Sequence, residues 1–171
     1  MNAPDRVHHE EIQIWPPWVI VLVLGGSGVG LATVLVAGAR GETSTAGVRV
    51  AMAVMVAVPV LLAGLMGRLA VRVRERGVTV AFGPVEVFKR TIPFDGIESV
   101  EAVVYSPLRE FGGWGYRLGL GRKTAWTVKG KEALVVHETD GRRTYLGSAD
   151  PRRLRARIDA AAAGRFGAPV A

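Results

Sequence analysis

Four groupings in the 171-residue chain hold residue types able to do chemistry. His8-His9-Glu10-Glu11 offers two imidazoles and two carboxylates, the ligand set of a divalent metal. Neighbours in a terminal tail have no fixed geometry, however, and the remaining histidine, His137, is remote in sequence, so no metal site is expected. Gly119-Leu120-Gly121-Arg122-Lys123-Thr124 has the glycines and lysine of a phosphate cradle. Arg122 separates Gly121 from Lys123 and no helix is expected to follow, so the segment reads as a strand-to-strand turn. Gly25-Gly26-Ser27-Gly28-Val29-Gly30 is glycine-rich but lies inside a long apolar run, where a nucleotide fingerprint has no strand before it. Finally, Ser, His and Asp occur in no triad or paired-carboxylate arrangement. There is no cysteine, which excludes thiolate metal sites, disulfides and a Cys nucleophile. No catalytic residue and no cofactor are expected.

Binding chemistry is better represented. The loop Ser106–Tyr116 concentrates Phe111, Trp114 and Tyr116 among glycines, with Arg109 and Arg117 beside them. Exposed aromatics beside cations make a partner surface or an interfacial anchor, and Trp114 could equally fold back to close the domain. The C-terminal segment carries Arg152, Arg153, Arg155, Arg157 and Arg165 against Asp159, and Arg68, Arg72, Arg74 and Arg76 form a second basic cluster. With a formal net charge of +7, these two clusters would meet anionic lipid at about 1 kcal/mol per side chain. The competing reading is a solvated helix face. Nucleic acid is not an expected partner, because no face interleaves aromatic and basic residues.

What must position these groups is decided by two uncharged runs, Gln13–Ala39 and Val50–Gly67. About 20 apolar residues cross a hydrocarbon core of roughly 30 Å. Spans are expected at about 16–39 and 48–71, the first opening at Pro16-Pro17, with Trp15 and Trp18 as interfacial anchors. The arginines after the second span put that end in the cytoplasm, the Gly41–Gly47 turn outside, and both termini inside a plasma membrane. Gly26 and Gly30, with Ala63 and Gly67, are small residues four apart, the notches that let helices pack within the hairpin or in a homo-oligomer.

Beyond Arg76 the pattern changes to short alternating runs. Strands are expected at Val78–Phe82, Val85–Arg90, Ile97–Tyr105, Tyr116–Leu120, Thr124–Val128, Glu132–Glu138 and Arg142–Gly147. A two-residue Asp140-Gly141 turn would set Glu138 opposite Arg143. Asp150 and Pro151 start a helix with a Leu154, Ile158, Ala161 and Ala162 stripe, ended by Gly164. The expected fold is therefore α+β: a cytoplasmic tail (1–14), a two-helix transmembrane anchor (15–71), a seven-stranded antiparallel barrel capped by a C-terminal helix (72–163), and a tail (164–171).

Four segments carry a resemblance over residues 69–163. They are Ile92-Pro93-Phe94-Asp95-Gly96-Ile97-Glu98-Ser99-Val100, Gly112-Gly113-Trp114-Gly115-Tyr116-Arg117, Asp140-Gly141-Arg142-Arg143, and Asp150-Pro151. In order and spacing the chain resembles small bacterial membrane proteins with a pleckstrin-homology-like domain after a two-helix anchor. The resemblance implies a bent seven-stranded barrel with a capping helix and no catalysis. Phosphoinositide-binding relatives use a long basic loop between their first two strands, where this chain has only Gly83-Pro84. The expected function is a membrane-anchored, non-enzymatic scaffold that binds a protein partner or the anionic lipid bilayer. The alternative is an accessory subunit recognised through its membrane helices.

Overall fold

The computed structural model describes residues 6–41, 43–86 and 88–163. The expected tail 164–171, with Gly164 and Arg165, and Val87 of the expected second strand lie outside the described residues. The chain is α+β. Its order is β1 (Val7–Ile14), α1 (Pro17–Ala39), α2 (Thr45–Met66), β2 (Arg68–Arg74), β3 (Gly77–Phe82), β4 (Phe88–Pro93), β5 (Ile97–Val104), α3 (Pro107–Phe111), β6 (Gly115–Gly119), β7 (Lys123–Thr127), β8 (Glu132–Glu138), β9 (Arg143–Gly147) and α4 (Pro151–Ala161).

The helical hairpin is an insertion in a β-hairpin. β1 pairs antiparallel with β2, from Val7 opposite Arg74 to Ile14 opposite Arg68. The Trp15 N–H then donates to the Gly67 carbonyl at 2.9 Å, carrying the ladder up to the helix ends. This corrects two expected boundaries. Residues 7–14 are a strand rather than a tail, and the second helix stops at Met66, so Ala70 and Val71 belong to β2. The two-sheet domain therefore begins before the helices, not after residue 71.

At about 1.5 Å per residue, the 23 residues of α1 and 22 of α2 make helices of roughly 35 and 33 Å, long enough to span a bilayer core. Neither helix has a buried residue, so they are not the core of a folded domain. Their hydroxyls are satisfied internally: Ser27 Oγ donates to the Val23 carbonyl at 2.8 Å and Thr33 Oγ1 to the Val29 carbonyl at 3.0 Å. Ser44 caps α2 by accepting from Gly47 N–H at 3.1 Å.

Among the described residues there are nine strands in two sheets, ordered β1-β2-β3-β4 and β5-β8-β9-β7-β6. The expected seven-stranded, nearly closed antiparallel barrel is corrected on three counts. β1 and β2 add strands from the segments assigned to tail and anchor. β7 and β9 run parallel, from Lys123 opposite Arg143 to Trp126 opposite Leu146, because the β8–β9 hairpin inserts β9 beside β7. No ladder joins the two sheets, so there is no closed barrel.

The inner faces enclose one core, including Leu69, Val71, Val80, Phe82, Leu134, Val136 and Leu146. α4 lies against β1, β2, β5 and β8 and adds Leu154 and Ile158 to that core, both fully buried. Asp150 caps it by accepting from Arg153 N–H at 2.9 Å. On the outer face of the second sheet, α3 covers a smaller cluster of Tyr105, Phe111, Ala125, Ala133, Val135 and Tyr145.

The Asp140-Gly141 turn is one residue longer than expected. Gly141 N–H donates to the Glu138 carbonyl and Glu138 N–H to the Arg142 carbonyl, both at 2.8 Å, with Gly141 at φ +80°. That is a three-residue loop with glycine in the left-handed position. Arg143 therefore faces His137, not Glu138.

Candidate functional site

The end of the two-sheet domain nearest the helices gathers Trp15, Trp18, Phe88, Trp114 and Tyr116. Trp15 and Trp18 stand where β1 passes into α1, and the Trp18 ring meets Trp114 edge-on at 5.9 Å. Trp114 Nε1–H donates to the Gly130 carbonyl at 2.9 Å, tying the α3–β6 loop to the β7–β8 turn. Lys129 and Lys131 flank that carbonyl and are exposed. Gly83 packs against the last turn of α2: a Cβ there would lie 2.8 Å from the Leu65 carbonyl oxygen, and φ is +75°. Val85 and Ile14 are exposed beside it.

Between β4 and β6 the sheets part. The opening is an apolar cleft of about 660 Å³ whose walls include Trp15, Trp18, Met66, Phe88, Trp114 and Tyr116, with Arg117 at its rim. Tyr116 packs edge-on against Trp126 at 4.8 Å, and Trp126 stacks on Phe82 at 5.5 Å. Arg117 Nε donates to the Trp114 carbonyl at 3.2 Å. Among the described residues no carboxylate lies within ion-pair distance of Arg117, Lys129 or Lys131.

The sequence-chosen surface residues divide. Trp114 and Tyr116 line the cleft. Phe111 does not: it is 7 % exposed and packs against Tyr145 at 5.0 Å and Tyr105 at 6.0 Å, which removes it from the expected surface. Its helix α3 folds it under because Gly112, at φ +71°, ends that helix after one turn. Arg109 is exposed on α3, away from the cleft lining. Arg152, Arg153 and Arg157 are exposed on α4, Arg152 beside Val104 and Glu132. Arg155 instead pairs with Asp159 at 3.7 Å.

The second basic cluster is dispersed. Strand rise of about 3.3 Å per residue carries Arg74 roughly 20 Å from Arg68, so only Arg68 stays at the helix ends. Arg72 is ion-paired with Glu10 at 2.8 Å and with Glu86. The hydrogen bond from Arg72 holds the Glu86 carboxyl below its ordinary value, and Glu86 in turn raises the guanidinium. Burial pushes the Tyr105 phenol up. Asp140, at the far end of the domain, is held low chiefly by the backbone N–H of Arg142.

His8 and His9 are adjacent on β1, at the point where its register with β2 shifts between Val7 and His9. His137 is on the other sheet, 3.8 Å from Glu101. Gly119–Lys123 forms the ends of β6 and β7 and their turn, with Gly121 and Arg122 at positive φ. Of the helix notches, Gly30 meets Met55, whereas a Cβ on Gly26 would meet nothing within 4 Å. Ala63 is exposed, and a Cβ on Gly67 would strike the Ala63 carbonyl oxygen.

Phe88, Trp126, Lys129 and Lys131 were not singled out by sequence reasoning. Nothing local in Lys129-Gly130-Lys131 indicates that Trp114 reaches the Gly130 carbonyl. The class so defined is an α+β protein with two helices long and apolar enough to cross a membrane, inserted in the edge hairpin of a two-sheet domain. The chain matches no protein family, no curated protein and no solved structure.

Proposed function

We propose that the protein is a membrane-anchored, non-enzymatic scaffold whose pleckstrin-homology-like domain is held on the anionic cytoplasmic face of the plasma membrane. The observation that carries this reading is the β1–β2 ladder, regular from His9 opposite Val73 to Ile14 opposite Arg68 at the helix ends. The Trp15–Gly67 hydrogen bond leaves no linker between sheet and helices, so the domain's near end stays at the bilayer surface. Two further features support it. No residue of either helix is buried, and among the described residues no carboxylate pairs with Lys129, Lys131 or Arg117 at the near end.

The chain has no native cysteine, so single replacements report cleanly. An impermeant maleimide should label Thr43→Cys in intact cells but Lys129→Cys only after permeabilisation. A nitroxide on Lys129→Cys should sit at headgroup depth, while one on Arg142→Cys at the far end should remain in bulk water. Equal depth for the two labels would sink the reading.

The second reading, an accessory subunit recognised through its spans, is favoured by the unoccupied surface at Gly25, Gly26, Gly28 and Gly64. Exchanging the hairpin for an unrelated one should abolish assembly under that reading and preserve it under the first.

A further inference from the structure

The cleft between β4 and β6 has walls from both parts of the chain: Trp18 and Met66 come from the helices, Phe88 and Tyr116 from the sheets. Its mouth therefore opens at the depth where a spanned bilayer passes from acyl chain to headgroup. Its volume of about 660 Å³ falls within the roughly 300–1,000 Å³ of small-molecule sites. Phe88 and Tyr116 also line a smaller neighbouring pocket with Lys89, Arg90 and Trp126.

The polar side-chain chemistry of this lining is one-sided. Arg117 and Lys89 are cations, Arg90 is engaged elsewhere by Glu138, and no carboxylate lines either pocket. Trp126 is 4 % exposed, and its buried indole Nε1 has no hydrogen-bond partner. The occupant must combine an apolar chain with oxygen acceptors and negative charge. An anionic phospholipid has all three, and it is the molecule that a bilayer presents at this depth.

We infer that the cleft holds one anionic phospholipid from the adjoining leaflet. Its upper acyl chain lies among Trp18, Met66 and Phe88, and its phosphate faces Arg117. This rests on the membrane-surface reading above, because the cleft opens toward lipid only if the helices span.

The test uses the full chain in phosphatidylcholine nanodiscs. They contain a small fraction of either phosphatidylglycerol or phosphatidylcholine brominated on its acyl chains, and tryptophan quenching is the readout. The anionic probe should reach half-maximal quenching at about a fivefold lower fraction, the factor for about 1 kcal/mol between one basic side chain and anionic lipid. Arg117→Gln should bring the two curves together, and Arg142→Gln at the far end should leave them apart. Equal quenching by both probes in the wild-type chain overturns the lipid site while leaving the surface reading standing. Quenching by neither overturns the surface reading and the site with it. An anionic preference that survives Arg117→Gln overturns the assignment of the phosphate to this cleft.

Discussion

Arg90 on β4 donates through Nη2 to Glu138 on β8 at 2.6 Å, and this pair joins the two sheets across an edge that no backbone ladder closes. Thr144 completes the clasp, accepting from Arg90 Nη1 at 3.1 Å and donating to Glu138 Oε1 at 2.6 Å. Glu138 is 7 % exposed, so losing its cation strands a buried carboxylate. Arg90→Ala is expected to destabilise the domain by about 3 kcal/mol, the lower end for breaking a buried pair. Glu138→Gln, which keeps hydrogen-bonding capacity, should cost about half as much. Thermal unfolding followed by near-ultraviolet circular dichroism measures both, and equal losses would count against the stranded charge.

The clasp also marks where sequence reading stops. The apolar run in Glu132–Glu138 and the stripe of α4 are visible in the sequence, and both elements form where expected, with β8 burying Leu134 and Val136 in the main core and Ala133 and Val135 under α3. β1 was missed because it is an edge strand: only Gln13 is buried, so His8, Glu10 and Glu11 look like a solvated tail. β2 was hidden by its neighbour. Leu69, Ala70 and Val71 are all buried, and such an apolar run reads as the extension of a membrane helix past Arg68. The cleft was illegible because it joins Trp18, Phe88 and Trp114, which only the tertiary fold assembles. The Glu138 partner was misread through a single extra loop residue, since a one-residue slip re-pairs every side chain beyond it.

Glu11 does for β1 what Glu138 does for β4. Its carboxylate accepts from Ser148 Oγ at 2.7 Å, from Ala149 N–H at 2.6 Å and from Gln13 Nε2 at 2.9 Å, fastening the edge strand to the start of α4. Hydrogen bonds to a charged group are worth about 1.5–3 kcal/mol each. Glu11→Ala should raise hydrogen-exchange rates along Val7–Ile14 and at Ala149, while β8 and β9 stay protected. Uniform loss of protection across both sheets would refute a local fastening.

Acid should loosen the outer face of the first sheet. Because Arg72 depresses the Glu86 carboxyl, the pair's contribution is complete above the ordinary value of 4.5 and fades as pH falls through the lower folded-state value. Glu86→Gln should flatten the fall in unfolding temperature below about pH 4.5 and matter least to its slope near neutrality. An acid limb of unchanged slope in this variant would assign the titration to other carboxylates.

Three glycines in α1 separate packing within the hairpin from any packing outside it. A Cβ on Gly38 would lie 2.7 Å from Val48 Cγ2, and Val48 is β-branched and stiff, so α2 has to move. A Cβ on Gly30 would fall on Met55 Cε, the end of a flexible side chain that can swing away. On Gly26 it would meet nothing within 4 Å. Gly38→Leu should therefore splay the hairpin, Gly30→Ala should be tolerated, and Gly26→Leu should leave the isolated chain as stable as before or slightly firmer, since glycine costs a helix about 1 kcal/mol. Distances between spin labels on the two helices measure the splay. The same Gly26→Leu protein, sized in detergent and in nanodiscs, then reports on the outward face. An unchanged mass leaves Gly26 as plain lipid-facing helix, whereas conversion of a larger assembly to monomer would make that face a packing surface for a second helix.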